Sequence, residues 1–202
     1  GLENTLESYD TQELTNFYQS LMEGDSLAQS WMAWKYDLLQ ERVDHLARTG
    51  AALDLYVGSI THDSHQYLYN TLFRVLVTES VLLGLLCALY LVGYEGLSGT
   101  QSMACASRAG RRLWRSKTLA ALAAALGLYA LLALFTLGSY LLLWDYGGIW
   151  DSSVSSQFNY FVDMLYSRPF LTWGDFTVGS YFAAMIGAGG GLVAVFTLMG
   201  AV

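Results

Sequence analysis

Residues 95–117, EGLSGTQSMACASRAGRRLWRSK, place five of the chain's ten basic residues between two long apolar runs. Few folds accommodate such an arrangement. The hydrocarbon core of a bilayer is about 30 Å thick, and about 20 apolar helical residues cross it. Residues 71–94 are long enough, with Arg74 and Glu79 near their start, and residues 118–144 are longer and uncharged. Residues 176–202 form a third uncharged run. The expected fold class is therefore all-α: a polytopic membrane helical bundle with three spans. Composition agrees, because only 13% of the residues are charged, against about 25% in an ordinary soluble domain.

The charges are distributed unevenly along the chain. Residues 1–70 hold eleven acids and three bases, residues 95–117 one acid and five bases, and residues 145–175 four acids and one base. Lys and Arg close to membrane spans accumulate on the cytoplasmic side. The basic segment is thus expected inside, residues 1–70 as a small helical extracytoplasmic domain, and residues 145–175 as an outer loop. The chain begins at Gly1 and ends at Val202 within an apolar run, so it is expected to be a piece of a longer protein, with an upstream span or signal delivering the N-terminal segment outside. The net charge of −7, with the one basic cluster set against a membrane, implies no nucleic-acid partner. Cys87 in a span and Cys105 in the cytoplasmic segment form no redox or metal pair.

Within residues 1–70, Leu2, Leu6, Tyr9, Phe17 and Leu21 recur at helical spacing before Gly24. A second helix is expected from a cap at Asp25 or Ser26 to a stop at Gly50. Its stripe of Leu27, Trp31, Trp34 and Leu38 suits core packing or a seat at the lipid interface. A short third piece covers residues 51–57. His62, Asp63 and His65 invite a metal site, but three ligands within four residues fall short of a structural zinc set. They read instead as a solvated turn capping the first span, and no metal is expected.

Ionisable groups inside a span are costly and usually partnered. Arg74 is near enough to the outer end to snorkel. Glu79 lies deeper, five residues on, and is a candidate intramembrane polar site facing another helix or a polar cavity. In the third run, Gly187 and Gly191 have the spacing that lets a neighbouring helix approach closely. In the outer loop, residues 157–166 are expected to form a short interfacial helix, stopped at Arg168-Pro169.

Motifs that carry chemistry are absent. Residues 97–101, LSGTQ, mimic an ATPase signature, yet no GxxxxGK[ST] phosphate loop occurs anywhere in the chain. No nucleophile elbow or Ser-His-Asp arrangement can be assembled. Neither enzymatic activity nor a cofactor is expected.

Glu95, Gly99-Thr100, Ser107, Gly110-Arg111-Arg112 and Lys117, set between two spans and followed by an Ala/Leu-rich helix, resemble the transmembrane permease of type 2 ABC exporters. Arg168-Pro169-Phe170-Leu171 and Thr177 to Tyr181 resemble that family's approach to its fourth span, so the likeness covers residues 66–202. The resemblance implies a multi-pass protein of the bacterial cytoplasmic membrane whose transport is driven by ATP hydrolysis on a separate subunit. It implies a coupling helix in the basic segment that docks on that ATPase, with Gly99, Thr100, Gln101, Met103 and Ser107 on the docking surface. Arg108, Arg111, Arg112 and Arg115 would meet ATPase carboxylates or anionic lipid headgroups. A second permease copy or homologue is the other implied partner, and residues 1–70 would be an insertion between the family's first two spans. Two other readings compete: a membrane-anchored sensor or scaffold with an extracellular helical ligand-binding domain, and a membrane enzyme in which His62, Asp63, His65 and Glu79 converge on a metal.

Overall fold

The computed structural model describes residues 10–21, 26–51, 66–106, 110–156 and 172–201. Six α-helices are described: α1 (Gln12–Leu21), α2 (Ser26–Thr49), α3 (Arg74–Leu97), α4 (Gln101–Ala106), α5 (Gly110–Leu143) and α6 (Val178–Gly200). A π-helical stretch, Leu68–Phe73, leads directly into α3. The chain divides into two compact units, Gly1–His65 with Gly147–Tyr181, and Gln66–Tyr146 with Phe182–Val202.

In the first unit, α1 starts where polar side chains hold the chain. The Gln12 N–H donates to the Asp10 carboxylate at 2.8 Å, and the Thr11 N–H and hydroxyl both donate to Gln40 Oε1 at 2.9 Å. Tyr18 of α1 stacks on Tyr36 of α2, with ring centroids 6.0 Å apart. These contacts set which side of α2 is covered. Met32, Val43 and Leu46 are its buried residues, and Ala51 joins Val43 and Leu46 in one cluster. The expected core stripe faces out instead: Leu27, Trp31 and Trp34 are 80%, 56% and 58% exposed, with the Lys35 ammonium over the Trp31 ring. The physical reason is that α1 docks through Thr11, Tyr36 and Gln40, polar groups that leave no mark in an apolar periodicity. One position along a helix turns the face by about 100°, so the covered line through Met32 excludes Trp31. Leu2, Leu6 and Tyr9, the expected third piece over residues 51–57 except Ala51, and His62, Asp63 and His65 lie outside the described residues.

The other half of this unit is built by backbone pairing. Val154 N–H donates to Phe176 O at 3.1 Å, Val178 N–H to Ser152 O at 2.9 Å and Gly179 N–H to Trp150 O at 2.9 Å, around an isolated antiparallel bridge between Ser153 and Thr177. Thr177 caps α6 reciprocally with Ser180: the Ser180 N–H donates to Thr177 Oγ1 at 3.2 Å, and the Thr177 N–H to Ser180 Oγ at 2.9 Å. The expected interfacial helix over residues 157–166 lies outside the described residues.

Arg42 ties α2 to this half. Its Nε donates to Thr172 O at 2.6 Å and its terminal nitrogen to Asp175 Oδ1 at 2.7 Å, while His45 Nε2 lies 3.1 Å from Asp175 Oδ2. The hydrogen bond from Arg42, followed by that from His45, holds the Asp175 carboxyl below its usual range. A depressed carboxylate contributes stability above its unfolded pKa and loses it as pH falls through the folded value. Asp175 is well exposed, so the pair contributes about 1 kcal/mol at most. Asp175→Asn is therefore expected to lower the unit's stability by about that amount at neutral pH, and to flatten the loss of stability on acidification. Denaturant titrations at pH 7 and in the carboxylate range check both.

The second unit holds three helices long and apolar enough to cross a membrane, Leu68–Leu97, Leu113–Leu143 and Val178–Gly200. Only 22%, 22% and 17% of their most apolar windows are buried within the chain. In water such exposure would be prohibitive, whereas lipid or neighbouring helices cover it in a bilayer. The fold is an all-α polytopic membrane bundle.

Small residues bring the three helices together. A Cβ at Gly84 would come within 2.6 Å of Thr197 Oγ1, and one at Gly189 within 2.6 Å of the Tyr129 hydroxyl and 2.9 Å of Val77 Cγ2. Ala88, Ala121 and Ala201 form a buried cluster where all three helices meet. Close backbone approach replaces the hydrophobic drive that is missing between helices in lipid. Tyr129 donates to Ile186 O at 2.7 Å. At the other end, Phe73 stacks on Tyr69 and meets Phe182 edge-on, each at 5.5 Å. Beyond the end of α5, the Tyr146 hydroxyl sits 3.1 Å from that of Tyr140. Burial, and then this hydrogen bond, pushes the Tyr146 phenol far above its ordinary range, so it stays protonated.

Candidate functional site

The basic segment is far more helical than a loop. α3 runs on to Leu97, so Glu95 belongs to its last turn, and α5 begins at Gly110, so Arg111, Arg112, Arg115 and Lys117 lie on its first two turns. Between them sits the six-residue α4. Cations at a helix N-terminus oppose the macrodipole, at about 0.3–1 kcal/mol each. Arg111, Arg112 and Arg115 therefore do not serve the dipole of the helix that carries them.

The turn from α3 into α4 follows from one residue. Gly99 has φ +70°, its N–H donates to Gly96 O at 3.3 Å, and the Thr100 N–H reaches back to Glu95 O at 2.9 Å. This pair of bonds is a Schellman ending, which needs a left-handed residue at the glycine position. The hydroxyls of Ser98 and Thr100 lie 2.8 Å apart across the turn. Gly99→Ala is expected to cost about 1–2 kcal/mol, and Gly99→Asn less, because Asn tolerates the left-handed region. Thermal unfolding of the detergent-solubilised protein checks the order.

A charged link closes the base of the site. Lys117 Nζ donates to Glu95 Oε1, an ion pair 22 residues apart in sequence whose two side chains are only 22% and 19% exposed. The Lys117 ammonium also lies 5.8 Å from the centre of the Tyr94 ring. The C-terminal end of α3 and the N-terminal part of α5 are thus tied directly, and α4 is the short element left between them. The sequence offered both residues as parts of a pattern but not as a pair. The available signal was one acid at the end of the first apolar run and one base at the start of the second.

On α4, the Met103 side chain is 76% exposed, and Ser102 and Ala106 are exposed too. Gln101 is the first residue of this helix. Ser107 and Arg108 lie outside the described residues. The remaining candidates lie away from this segment. Glu79 is exposed on α3 and forms no ion pair among the described residues; it is not joined to Arg74. Gly187 and Gly191 have open space beside them, whereas Gly189 and Gly190 carry the packing against Tyr129. The apolar run alone did not distinguish these positions, because which glycine faces inward depends on where Tyr129 and Val77 arrive. No group of three or more His, Cys, Asp or Glu side chains suited to a metal gathers among the described residues.

No known protein family, no curated protein and no solved structure matches the chain.

Proposed function

We propose that the chain is the membrane permease subunit of an ATP-driven ABC transporter, and that α4 is the element through which a separate ATPase moves the spans. The observation that carries this reading is a short helix fixed between two spans by a glycine-ended turn on one side and the Glu95–Lys117 ion pair below it. A docking element must pass motion on, and a short helix tethered at both ends moves with its spans as a rigid body. Exposed Met103 supplies an apolar contact of the adaptable kind. Arg111, Arg112 and Arg115 supply positive charge for ATPase carboxylates or anionic headgroups. On this reading the basic end faces the cytoplasm of a bacterial cell, the first unit lies outside, and a second permease completes the transporter. Purification from native membranes in mild detergent is expected to recover an ATPase subunit bearing a phosphate loop, with vanadate-sensitive ATP hydrolysis. Recovery of the chain without any such subunit would count against it.

The sensor or scaffold reading is favoured by one observation, a cleft in the first unit lined by Arg42, Asp151 and Asp175. Deleting residues 1–58 separates the two. A transporter keeps basal ATP-dependent flux, whereas a sensor loses its response.

A further inference from the structure

The first unit contains a cleft of about 350 Å³ whose described lining residues all belong to that unit. This volume lies at the small end of the range of ligand sites, about 300–1,000 Å³. Leu46, Ala51 and Phe176 give the described lining its apolar part. Thr49, Ser153 and Thr177 bring hydroxyls to it, and Arg42, Asp151 and Asp175 bring charge.

Which of those charges is still unmatched decides what the cleft can hold. The Arg42 guanidinium donates through Nε to Thr172 O and through one terminal nitrogen to Asp175, and both Asp175 oxygens are engaged, one by Arg42 and one by His45. The first N–H groups of α6 are spent on Ser152 O, Trp150 O and Thr177 Oγ1. With the charges of Arg42 and Asp175 matched to each other, the described lining keeps one net negative charge, which disfavours an anion. Asp151, by contrast, is exposed in the lining and makes no hydrogen bond or ion pair among the described residues. The end of α2, at Thr49 and Gly50, adds the negative pole of a helix to the lining. The acidic excess of residues 1–70 and 145–175 draws cations to this part of the protein. A hard metal ion needs six or more oxygen ligands, more than one unmatched carboxylate and its neighbours supply.

We propose that this cleft binds a small organic cation, an ammonium group beside an aromatic or short apolar body, with Asp151 facing the nitrogen and Phe176 facing the body. The site is independent of the permease reading, since none of its residues belongs to the segment around α4.

The test uses the full chain in phosphatidylcholine nanodiscs, with empty nanodiscs as the blank, and saturation-transfer NMR as the readout. Four probes are titrated: 2-phenylethylammonium, the neutral 3-phenylpropanol, the anionic 3-phenylpropionate, and calcium as a competitor. The ammonium is expected to bind saturably with Kd of about 1 mM or tighter, and more tightly than the alcohol, while the carboxylate does not bind. Asp151→Asn is expected to weaken the ammonium about fivefold, the size of an exposed charge pair. Asp151→Glu retains most of the affinity, and Phe176→Leu weakens ammonium and alcohol alike. The proposal is overturned by tighter binding of the carboxylate, by displacement of the ammonium by calcium, by unchanged affinity in Asp151→Asn, or by no saturable binding of the ammonium. None of these outcomes bears on ATPase docking at Met103, and a failure of that docking leaves this cleft untouched.

Discussion

Gly189→Ala is expected to lower the stability of the membrane unit by about 1–3 kcal/mol, the cost of forcing a methyl group into a filled contact. The added carbon would sit 2.6 Å from the Tyr129 hydroxyl and 2.9 Å from Val77 Cγ2. Both neighbours are held: Tyr129 by its hydrogen bond to Ile186 O, and Val77 by the helix that carries it. To relieve the clash, Tyr129 must give up that bond, worth about 0.6 kcal/mol in a membrane bundle, or the helices must separate. Tyr129→Phe measures the first contribution alone and should cost much less than Gly189→Ala. Gly187→Ala and Gly191→Ala meet nothing within 4 Å among the described residues and should leave stability unchanged or slightly raised. If they weaken an oligomer, the Gly-xxx-Gly face is in contact with a second helix. Unfolding by SDS titration from mild detergent, followed by circular dichroism, ranks the four variants. Equal losses at positions 187 and 189 would contradict the packing described.

Met103→Glu is expected to give the largest functional effect. On the permease reading, Met103 is the apolar side chain that α4 offers to the ATPase, and a carboxylate there would have to be desolvated in the interface. Truncation at an interface hot spot costs about 2 kcal/mol or more, which is a factor of about 30 in affinity. Retention of the ATPase subunit and ATP-dependent transport should both fall by about that factor, while thermal unfolding of the permease stays as in the wild type. Met103→Leu should keep both, since it preserves volume and polarity. A loss of stability in Met103→Glu equal to its loss of ATPase binding would assign the residue to the fold instead.

The parts of this structure legible in the sequence are those set by a single strong physical term. Three long uncharged or nearly uncharged runs demanded three spans, and Gly50 announced a helix end, where the backbone takes φ of 69°; the helix end at Gly99, with φ of 70°, was not read from the sequence. What was illegible depended on partners distant in the chain. The buried side of α2 is chosen by Thr11 through Gln40 and Tyr36, so the Trp31 and Trp34 stripe does not form the core of this unit, the first of its two expected roles. Gly189 rather than Gly187 packs inward because Tyr129 arrives there. The segment over residues 95–117 was expected to be a loop carrying one short helix, and most of its described residues are helical, because α3 and α5 extend into it from both sides. Local charge does not stop a helix whose next turns are rich in Ala and Leu. The pairing of Glu95 with Lys117 required knowing that the end of α3 and the start of α5 come together.

On the permease reading α4 meets an ATPase, and the measurement closest to that contact is site-specific photo-cross-linking in native membranes. A benzophenone amino acid is placed at position 103, and in a parallel strain at position 131, where Leu131 is exposed on the apolar part of α5. The expected result is an adduct from position 103 to a protein whose peptides contain a phosphate loop, with a yield that changes when ATP and vanadate are added. Position 131 should give lipid or membrane-protein adducts only. A position 103 that cross-links to no ATPase, or only to the same products as position 131, would contradict the account.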